Sequence, residues 1–482
     1  MKKIQLVNAP LGSTYCPSIR AGAFPPLHLA GLASFVRAQC NEVAVEIIDG
    51  ELHSVENILT QLDAEVVGIS CNSLTYESAL KIAQRAKELG AIVALGGAHP
   101  TFTGREIIGN RPCIDVAVYG DGELALLGLV QGKAFAEIPN LIYRDGDHIR
   151  VNNQNIHTLG VLPFPDYAGL NVEAYHDNYA RLYPDKPFRH AFAAYSAKGC
   201  QWRDRSGGGC TFCAIQDFGL RIKPVDRFWR ELITTRRAWG ADFFWDVSDT
   251  FTMQRDWVRD FARAKPREAK FRFQVYGRSP DIDDEMADLL ASIGTYEVFL
   301  GVESGSNRAL RAAHKGISVE TNLRAIKNLN QAGVRAVISI VLGLPGESED
   351  TLAATTAMIE ELVVSSDLSE INCSILLPLP GSRAMELLRQ REHPMKGKED
   401  LFEPEVLRRS WAEQYCEVSC DRLIEVQYEM RKLHHRVGTF GLTVYEAAAQ
   451  QQLQEDKPLI AVTENFKIDV AWIVQGRFSD TE

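Results

Sequence analysis

Residues 197–215 read AKGCQWRDRSGGGCTFCAI, and this stretch holds three of the ten cysteines of the chain, Cys200, Cys210 and Cys213. A structural zinc site needs four ligands, usually from two paired knuckles, whereas this stretch supplies one CxxC pair and one more distant thiol. A [4Fe–4S] cluster is held by cysteine thiolates, and with three of them its fourth iron stays open for an external ligand. The stretch therefore favours an iron–sulfur cluster. A redox disulfide between Cys210 and Cys213, or zinc completed by a remote Cys or His, are the alternatives.

The pattern around this stretch indicates an α/β barrel. An apolar run, AFAAYS at 191–196, comes directly before the cysteines. Five further strand-like runs follow, with helical segments between them: DFFWDVSD (242–249), FRFQVYG (271–277), YEVFLGVESG (296–305), VRAVISIVLGLPGE (334–347) and EINCSILLPLPGS (370–382). Six parallel strands with crossover helices predict a partial (β/α)6 TIM-like barrel over residues 191–382, with its active site at the C-terminal strand ends. Residues 383–482 predict a mostly helical C-terminal region.

The N-terminal part of the chain also alternates apolar runs with helical segments. Over residues 3–130 the pattern gives five strands, which predict a doubly wound, Rossmann-like parallel sheet in a domain of residues 1–140. Ligands of such sheets bind beyond the carboxyl ends of the strands. Small and polar residues at those ends suggest a broad, flat ligand or a packed neighbouring domain, with tight turns as the alternative. The candidate binding residues there are Ser73, Thr75, Gly96, Gly97, His99, Gly120, Gly122 and Glu123.

Residues 141–190 connect these two parts. LIYRDGDHIRV at 141–151 predicts a hairpin around Asp-Gly, and the proline-rich stretch LPFPDYAGL that follows predicts a linker.

Composition excludes several classes of protein. The formal net charge of −11 argues against a nucleic-acid surface, which would favour a basic face. No window approaches twenty uninterrupted apolar residues, and the start MKKIQLVNAP turns polar before a signal-peptide core could form, so no membrane span or secretion is expected. We expect a cytoplasmic protein, in which a tight cysteine group indicates metal or redox chemistry.

With these motifs in order, the chain resembles the radical S-adenosylmethionine (SAM) superfamily over roughly residues 3–380, and its layout resembles the class with an N-terminal cobalamin-binding domain. The resemblance implies that Cys200, Cys210 and Cys213 hold a [4Fe–4S] cluster, that its open iron chelates SAM, and that one-electron reduction yields a 5′-deoxyadenosyl radical. One feature departs from the common C-x3-C-x2-C spacing: nine residues, Gln201–Gly209, separate the first two thiols. The charged insert Arg203-Asp204-Arg205 is either a cap or substrate contact, or a solvated loop.

The resemblance also implies SAM contacts at the barrel strand ends. Asp246, Ser248 and Asp249 follow the second strand, where the family presents polar residues to the methionyl amino group. Glu303 belongs to GVESG (301–305), which looks like the family's fourth-strand motif, and is expected to contact SAM. Glu347 is expected to support the following helix instead. The remaining candidates are Gln274, Tyr276 and Arg278 for the ribose or carboxylate, Val341 and Gly343 beside the adenine, and Leu376 at the start of LLPLPGS (376–382).

The resemblance implies cobalamin as a further cofactor. The lower-axial motif D-x-H-x-x-G of some cobalamin enzymes is missing, because Asp49-Gly50-Glu51-Leu52-His53 has the wrong spacing. His28 and His99 are candidates for a place near the corrin, with hydrogen-bonded turn histidines as the alternative. A domain that keeps the fold without the corrin is the second alternative.

Two cysteines outside the barrel motifs form a separate candidate. Cys416 and Cys420 are four residues apart and would share one face of a helix, where they could bind a soft ion or a metalloid substrate. The alternative is that they are buried apolar thiols, as expected for Cys16, Cys40, Cys71, Cys113 and Cys373.

The sequence therefore predicts a radical SAM enzyme, a transferase that methylates an unactivated centre of a small molecule with the help of cobalamin. Its expected partner is a reductase, flavodoxin or ferredoxin that donates electrons. One alternative is transfer of a 3-amino-3-carboxypropyl group from SAM to a soft acceptor such as trivalent arsenic, with Cys416 and Cys420 as substrate thiols. An alternative of another class is a non-catalytic corrinoid or metal sensor.

Overall fold

The computed structural model describes residues 2–11, 22–40, 42–217, 219–391, 394–398 and 400–434. It confirms the predicted fold class: a Rossmann-like sheet, a six-stranded parallel sheet of barrel type, and C-terminal helices. None of the helices in these residues is long and apolar enough to cross a membrane. Cys16 lies outside the described residues.

The N-terminal sheet has seven strands in the order β2-β1-β3-β4-β5-β6-β7, and its first five strands are parallel. Their apolar side chains are buried on both faces, because α1 and α5 cover one face and α2, α3 and α4 cover the other. The strands are β1 (Lys2–Asn8), β2 (Val43–Asp49), β3 (Val66–Ser70), β4 (Ile92–Gly96), β5 (Val116–Val118), β6 (Leu141–Asp145) and β7 (His148–Val151). The helices are α1 (Leu27–Gln39), α2 (Val55–Gln61), α3 (Tyr76–Glu88), α4 (Ala98–Asn110) and α5 (Glu123–Val130).

The hairpin β6/β7 extends this sheet. Strand β6 pairs antiparallel with β5, and β7 pairs antiparallel with β6 around the turn at Gly146. The hairpin predicted as part of the linker is thus joined to the N-terminal domain. Helix α6 (Val172–Leu182) then leads to the barrel, and its Tyr175 hydroxyl donates to Asp49 Oδ2 at 2.5 Å, which ties it to the end of β2.

The barrel sheet runs in chain order, β8-β11-β12-β13-β14-β15, and all five strand pairs are parallel. Its strands are β8 (Ala191–Ala194), β11 (Phe243–Asp246), β12 (Arg272–Gly277), β13 (Thr295–Glu303), β14 (Arg335–Leu342) and β15 (Leu368–Ile375). A separate ribbon of β9 (Ala197–Lys198) and β10 (Arg221–Ile222) closes the segment that carries the cysteines. The helices are α7 (Gln201–Ser206), α8 (Val225–Trp239), α9 (Arg255–Arg263), α10 (Asp284–Ile293), α11 (Asn307–Ala312), α12 (Val319–Gln331) and α13 (Glu349–Ser365).

Up to residue 434, where the described part of the chain ends, three helices follow β15: α14 (Arg383–Gln390), α15 (Pro404–Tyr415) and α16 (Cys420–His434). Leu423, Val426 and Met430 of α16 join the buried core of the barrel, and Gln427 donates to the Cys373 carbonyl of β15 at 2.8 Å. Helix α16 therefore packs on the barrel beside β15.

Candidate active site between the N-terminal domain and the barrel

A cavity of about 910 Å³ lies between the C-terminal strand ends of the N-terminal sheet and the first strands of the barrel. We call it the interdomain cavity. Its volume is at the upper end of the range for small-molecule sites. The predicted binding residues that line it are Thr75, Gly96, Gly97, Gly120, Gly122, Glu123 and, from the barrel, Asp249. Residues 214–217, directly after Cys213, also line it. The cavity thus connects the two sets of strand ends that the sequence singled out.

One branch of the interdomain cavity is apolar and runs between the N-terminal sheet and helices α1 and α5. Leu6, Leu32, Leu126 and Leu129 line it, and Gly68 in the middle of β3 keeps it open, since a Cβ there would lie 3.1 Å from Leu6 Cδ2. The mouth is polar, and Glu123 there has an oxygen, Oε2, without a hydrogen-bond partner among the described residues. A flat heteroaromatic base in the branch and a wide, amide-bearing ring at the mouth would suit this shape, so these residues fit cobalamin.

Ser73 and His99 lie outside the lining of the cavity. His99 Nδ1 is 3.0 Å from Ser73 Oγ and its Nε2 is 3.1 Å from the Asp400 carbonyl oxygen, so both ring nitrogens are engaged. Burial lowers the pKa of His99 to about 4. This placement favours the hydrogen-bonded structural histidine. His28, in contrast, lines the cavity with its side chain exposed into it, and the surrounding protein lowers the pKa of its imidazole.

Gly97 shows why a glycine stands at the end of β4. Its φ is +105°, and a Cβ would lie 2.3 Å from the Cys71 carbonyl oxygen of the neighbouring strand end. Only glycine allows this approach. The position therefore shapes the rim of the cavity through its backbone.

The stretch 197–215, which we call the cysteine loop, is anchored by later parts of the chain. The Thr211 N–H donates to the Ala313 carbonyl at 2.9 Å, and the Ala384 N–H donates to the Thr211 carbonyl at 2.8 Å. Gly207, Gly208 and Gly209 all have positive φ and turn the chain back toward Cys210. The loop is thus held between the end of α11 and the start of α14.

All three cysteines of the loop are free thiols. Burial raises the pKa of Cys210, and burial together with the neighbouring Cys210 raises the pKa of Cys213 to about 12. Iron ligation would deprotonate such thiols outright. Within the described residues no group of three or more His, Cys, Asp or Glu side chains could hold a single metal ion. A four-iron cluster has a different requirement, because its three thiolates bind three different irons. The donor set therefore fits a [4Fe–4S] cluster.

The nine-residue insert between the first two cysteines forms helix α7 and is docked on the barrel. Trp202 Nε1 donates to the His314 carbonyl at 3.0 Å, and the guanidinium of Arg278 lies 4.7 Å from the centre of the Trp202 ring. Gly316 must be glycine here, since a Cβ would lie 2.2 Å from the indole. Arg203 Nη1 donates to the Ile215 and Asp217 carbonyls. The insert thus braces the cysteine loop.

Three predicted residues lie at the end of the second barrel strand. Asp246 and Ser248 accept hydrogen bonds from backbone N–H groups, and Asp249 does so as well but also lines the cavity. Asp246 accepts from the N–H groups of Ser196 at 3.0 Å and Ser248 at 2.9 Å. Ser248 Oγ accepts from the N–H groups of Ser196 and Ala197, both at 2.9 Å. These contacts fix the segment that enters the cysteine loop. Asp249 accepts from Gly199 N–H at 2.8 Å, and burial raises its pKa to about 6.

Glu303 ends β13 in a strained, charged setting. Its φ is +64°, and its side chain is buried. Oε1 accepts from Lys315 Nζ at 2.6 Å, and Oε2 has no hydrogen-bond partner in the described part of the chain. Lys315 also lies 5.7 Å from the centre of the Phe212 ring, inside the CxxC pair. A non-glycine residue with positive φ and an unpaired buried oxygen is typical of a functional site.

The other barrel candidates occupy three places. Gln274 and Tyr276 lie on β12, and Arg278 follows it, where its Nη2 donates to the Lys315 carbonyl at 2.7 Å. Val341 and Gly343 lie at the end of β14, and the Gly343 carbonyl accepts from Trp411 Nε1 at 2.7 Å. Leu376 is buried beside them, and its N–H donates to the Leu342 carbonyl at 2.8 Å.

Glu347 supports the start of α13, as expected. Its Oε2 accepts from Gly343 N–H at 3.0 Å, and its Oε1 accepts from the Thr351 hydroxyl in the first turn.

Cys416 and Cys420 do not line the interdomain cavity. Cys416 ends α15 and Cys420 begins α16, so the two are not on one helix face. Burial raises the pKa of both thiols, that of Cys416 to about 12. This placement favours their role as buried apolar thiols.

The sequence did not single out an ion network that joins the two domains. Asp121, between the two glycines of the β5–α5 turn, accepts from Lys198 Nζ at 3.0 Å and from the Arg221 guanidinium. Arg221 Nη2 also donates to Asp217 at 3.0 Å, and Lys198 Nζ is 4.0 Å from the same carboxylate. Burial would raise the pKa of Asp121, but Arg221 and Lys198 outweigh it and lower that pKa. We call these four residues the interdomain ion network.

Comparison with known proteins identifies both domains that border the interdomain cavity. Residues 195–359 match the model of the radical SAM superfamily, and residues 20–130 match the model of the B12 binding domain. An uncharacterized methyltransferase of Pyrococcus horikoshii is 28% identical over 379 residues, which cover 75% of this chain and 78% of that protein. An anaerobic magnesium-protoporphyrin IX monomethyl ester cyclase of Rubrivivax gelatinosus is 26% identical over 359 residues, 70% of this chain and 62% of that protein.

Two solved structures share the fold. The cobalamin-dependent SAM radical enzyme OxsB, with aqua-cobalamin and SAM bound, has a TM-score of 0.67 at 16% identity and covers 99% of this chain and 75% of its own. The radical SAM methyltransferase TsrM of Kitasatospora setae has a TM-score of 0.62 at 17% identity and covers 81% of this chain and 76% of its own. The radical SAM match implies a [4Fe–4S] cluster and SAM, and the B12 binding domain supports cobalamin. The chain thus contains a radical SAM domain, matched over residues 195–359, preceded by a B12 binding domain, matched over residues 20–130.

Proposed function

We propose that this enzyme is a cobalamin-dependent methyltransferase that acts on an unactivated centre of a small molecule. The observation that carries the proposal is the interdomain cavity, which joins the strand ends of the B12-binding domain to the cysteine loop. A methyl carrier held by the first domain would face the radical source held by the second. The methyltransferases among the relatives and structural neighbours support this type of reaction.

The chain's own residues divide into three groups by task. The thiols of Cys200, Cys210 and Cys213 would hold the cluster, and Asp249 and Glu303 would bind SAM. Thr75, Gly96, Gly97, Gly120, Gly122 and Glu123, with the leucine-lined branch, would hold cobalamin. When bound, the cluster and SAM supply one-electron reductive cleavage, and cobalamin supplies a carrier for the methyl group.

Two contacts would keep these groups in position. Lys315 fixes Glu303 through one carboxylate oxygen and leaves the other free to accept from a ligand. Asp246 and Ser248 hold the backbone that enters the cysteine loop. Burial of these contacts strengthens them and limits access of water to the site.

The enzyme would need an external one-electron donor, and we propose a reductase, a flavodoxin or a ferredoxin. We also propose a cytoplasmic location, because all nine cysteines among the described residues are free thiols, as expected in a reducing compartment. Transfer of an aminocarboxypropyl group through Cys416 and Cys420 is not favoured, since neither thiol lines the interdomain cavity.

The experiment is anaerobic reconstitution with iron and sulfide, with and without hydroxocobalamin, followed by desalting, absorbance spectra and product analysis after dithionite and SAM. We expect cluster absorbance, retained corrin bands and 5′-deoxyadenosine. A cluster without retained corrin would contradict the cobalamin-dependent reaction. Methylthioadenosine as the product would favour aminocarboxypropyl transfer, and absence of a cluster would overturn the proposal.

A further inference from the structure

We propose that the interdomain ion network couples occupancy of the cobalamin site to the conformation of the cysteine loop, with Asp121 and Lys198 as positioning residues. This inference rests on the proposed function, since it requires cobalamin in the interdomain cavity.

The first step of the argument is where the network is attached. Asp121 lies between Gly120 and Gly122, and all three residues line the cavity, as do Lys198 and Asp217. The backbone of Asp121 is held by Asn140 Nδ2, which donates to the Asp121 carbonyl at 2.7 Å. A ligand in the cavity would therefore lie beside the network itself.

The second step is what the network reaches. Lys198 ends β9, two residues before Cys200, and Asp217 lies four residues after Cys213. Arg221 pairs with Lys198 across the β9/β10 ribbon and joins both carboxylates. The four side chains thus clamp both ends of the cysteine loop to the turn at residues 120–122.

The third step is the strength of the connection. The side chains of Asp121, Asp217, Arg221 and Lys198 are 4, 16, 15 and 25% exposed, so solvent screens them only in part. In this network two carboxylates face two cations, and Glu123 adds a further negative charge that acts on both cations. Removal of one partner would leave an uncompensated charge in a partly buried place, which is costly.

The test is hydrogen–deuterium exchange of the full chain without a cluster, with and without hydroxocobalamin. The readout is the peptide at 200–212, because none of its residues lines the cavity and a ligand cannot protect it by direct contact. In the native protein, hydroxocobalamin should slow exchange severalfold both at the strand ends near residues 96–99 and at 200–212. With Lys198→Met only the first effect should remain, whereas Lys198→Arg should retain both.

Asp121→Asn provides a second variant that leaves the cysteine loop unchanged, and it should also lose protection at 200–212. A matched control is Arg37→Met, which breaks an ion pair with Asp166 at 2.9 Å away from the network and should behave as the native protein does. Protection at 96–99 but not at 200–212 in the native protein, or full protection in Lys198→Met and Asp121→Asn, would overturn this inference and leave the proposed function intact. No protection at either place would show that cobalamin does not bind, and both would fall.

Discussion

The two sides of the interdomain cavity differ in the kinds of residue that they contribute. The N-terminal side contributes space, through glycines at four strand-end positions and a leucine-lined branch beside β3. The barrel side contributes Asp249 on the cavity wall, and the strained Glu303, paired with Lys315, lies near the cysteine loop without lining the cavity. We propose that the first side selects its ligand mainly by shape, whereas the second selects it by charge and by thiolate ligation.

The largest effect on the barrel side is expected when a cluster-binding thiol is removed. Cys213→Ser should abolish the cluster and all cleavage of SAM, because a three-thiolate site has no spare ligand. Iron content and absorbance after anaerobic reconstitution measure the loss. Cys113→Ser, on the N-terminal domain, is the matched control and should load iron normally. A Cys213→Ser variant with a complete cluster would contradict the assignment of the cysteine loop.

Charge selection on the barrel side is tested at Glu303. Glu303→Gln keeps the shape but removes a charge-assisted hydrogen bond, which contributes about 1.5–3 kcal/mol, so the affinity for SAM should fall roughly 10- to 150-fold. Equilibrium binding of SAM to the cluster-loaded protein measures this effect, with cobalamin retention unchanged. Glu320→Gln, at the exposed start of α12, should bind SAM as the native protein does. An unchanged affinity in Glu303→Gln would remove this residue from the site.

Shape selection on the N-terminal side is tested at Gly68. Gly68→Leu places a side chain against Leu6 in the apolar branch, and overpacking of this kind costs about 1–3 kcal/mol, so cobalamin should bind roughly 5- to 150-fold more weakly. Titration with hydroxocobalamin measures the affinity, and iron loading should not change. Gly109→Ala, at the exposed end of α4, is the control. Loss of the cluster with cobalamin binding intact would contradict the assignment of the cobalamin site to the N-terminal side of the cavity.

A smaller effect concerns pH. Burial and the nearby Asp217 raise the pKa of Asp249 to about 6, while Gly199 N–H, Arg203 and Lys198 act in the opposite direction. The carboxyl group is neutral below that pH and ionised above it, and an ammonium group binds the ionised form. The affinity for SAM should therefore fall about fourfold from pH 7.5 to pH 5.5. Asp249→Asn should make this profile flat, and a profile that keeps the same slope would exclude Asp249 as its source.

The smallest effect is expected outside both sides of the cavity. Replacement of Cys416 and Cys420 by serine should leave the turnover of SAM unchanged, because neither thiol lines the cavity. Measured production of 5′-deoxyadenosine tests this expectation. A large loss in a variant that keeps its circular dichroism and its cluster would revive the hypothesis of substrate thiols.

The fold was predictable because its strands are mainly apolar runs, interrupted by few polar residues. VAVEII at 43–48 becomes β2 over Val43–Asp49, and FRFQVYG at 271–277 becomes β12 over Arg272–Gly277. The three cysteines were predictable because their chemistry is local in sequence. The contacts that hold the cysteine loop in place were not predictable from the sequence. Lys198 meets Asp121 across 77 positions, and Trp202 reaches the His314 carbonyl across 112, so only the folded chain defines these pairs.

The prediction for Arg203-Asp204-Arg205 was open between a cap or substrate contact and a solvated loop. In the structure Arg203 is anchored to the Ile215 and Asp217 carbonyls, whereas Asp204 and Arg205 are exposed. A glycine at 316 was the available signal, but its meaning depends on the indole that packs on it. Asp121 lies in a turn whose glycines were predicted as binding residues, but Asp121 itself was not predicted. Its partner Arg221 is 100 positions away in the second domain, so the sequence alone does not show the contact.

The anchoring of Thr211 has a consequence for the stage of synthesis at which the cluster can be inserted. Its N–H donates to Ala313 and its carbonyl accepts from Ala384, residues that leave the ribosome long after the cysteines themselves. A nascent chain that stops short of residue 384 has the three thiols but not the frame that orients them. We therefore expect cluster insertion to follow synthesis of the whole barrel, and we expect a chain truncated before residue 384 to take up less iron.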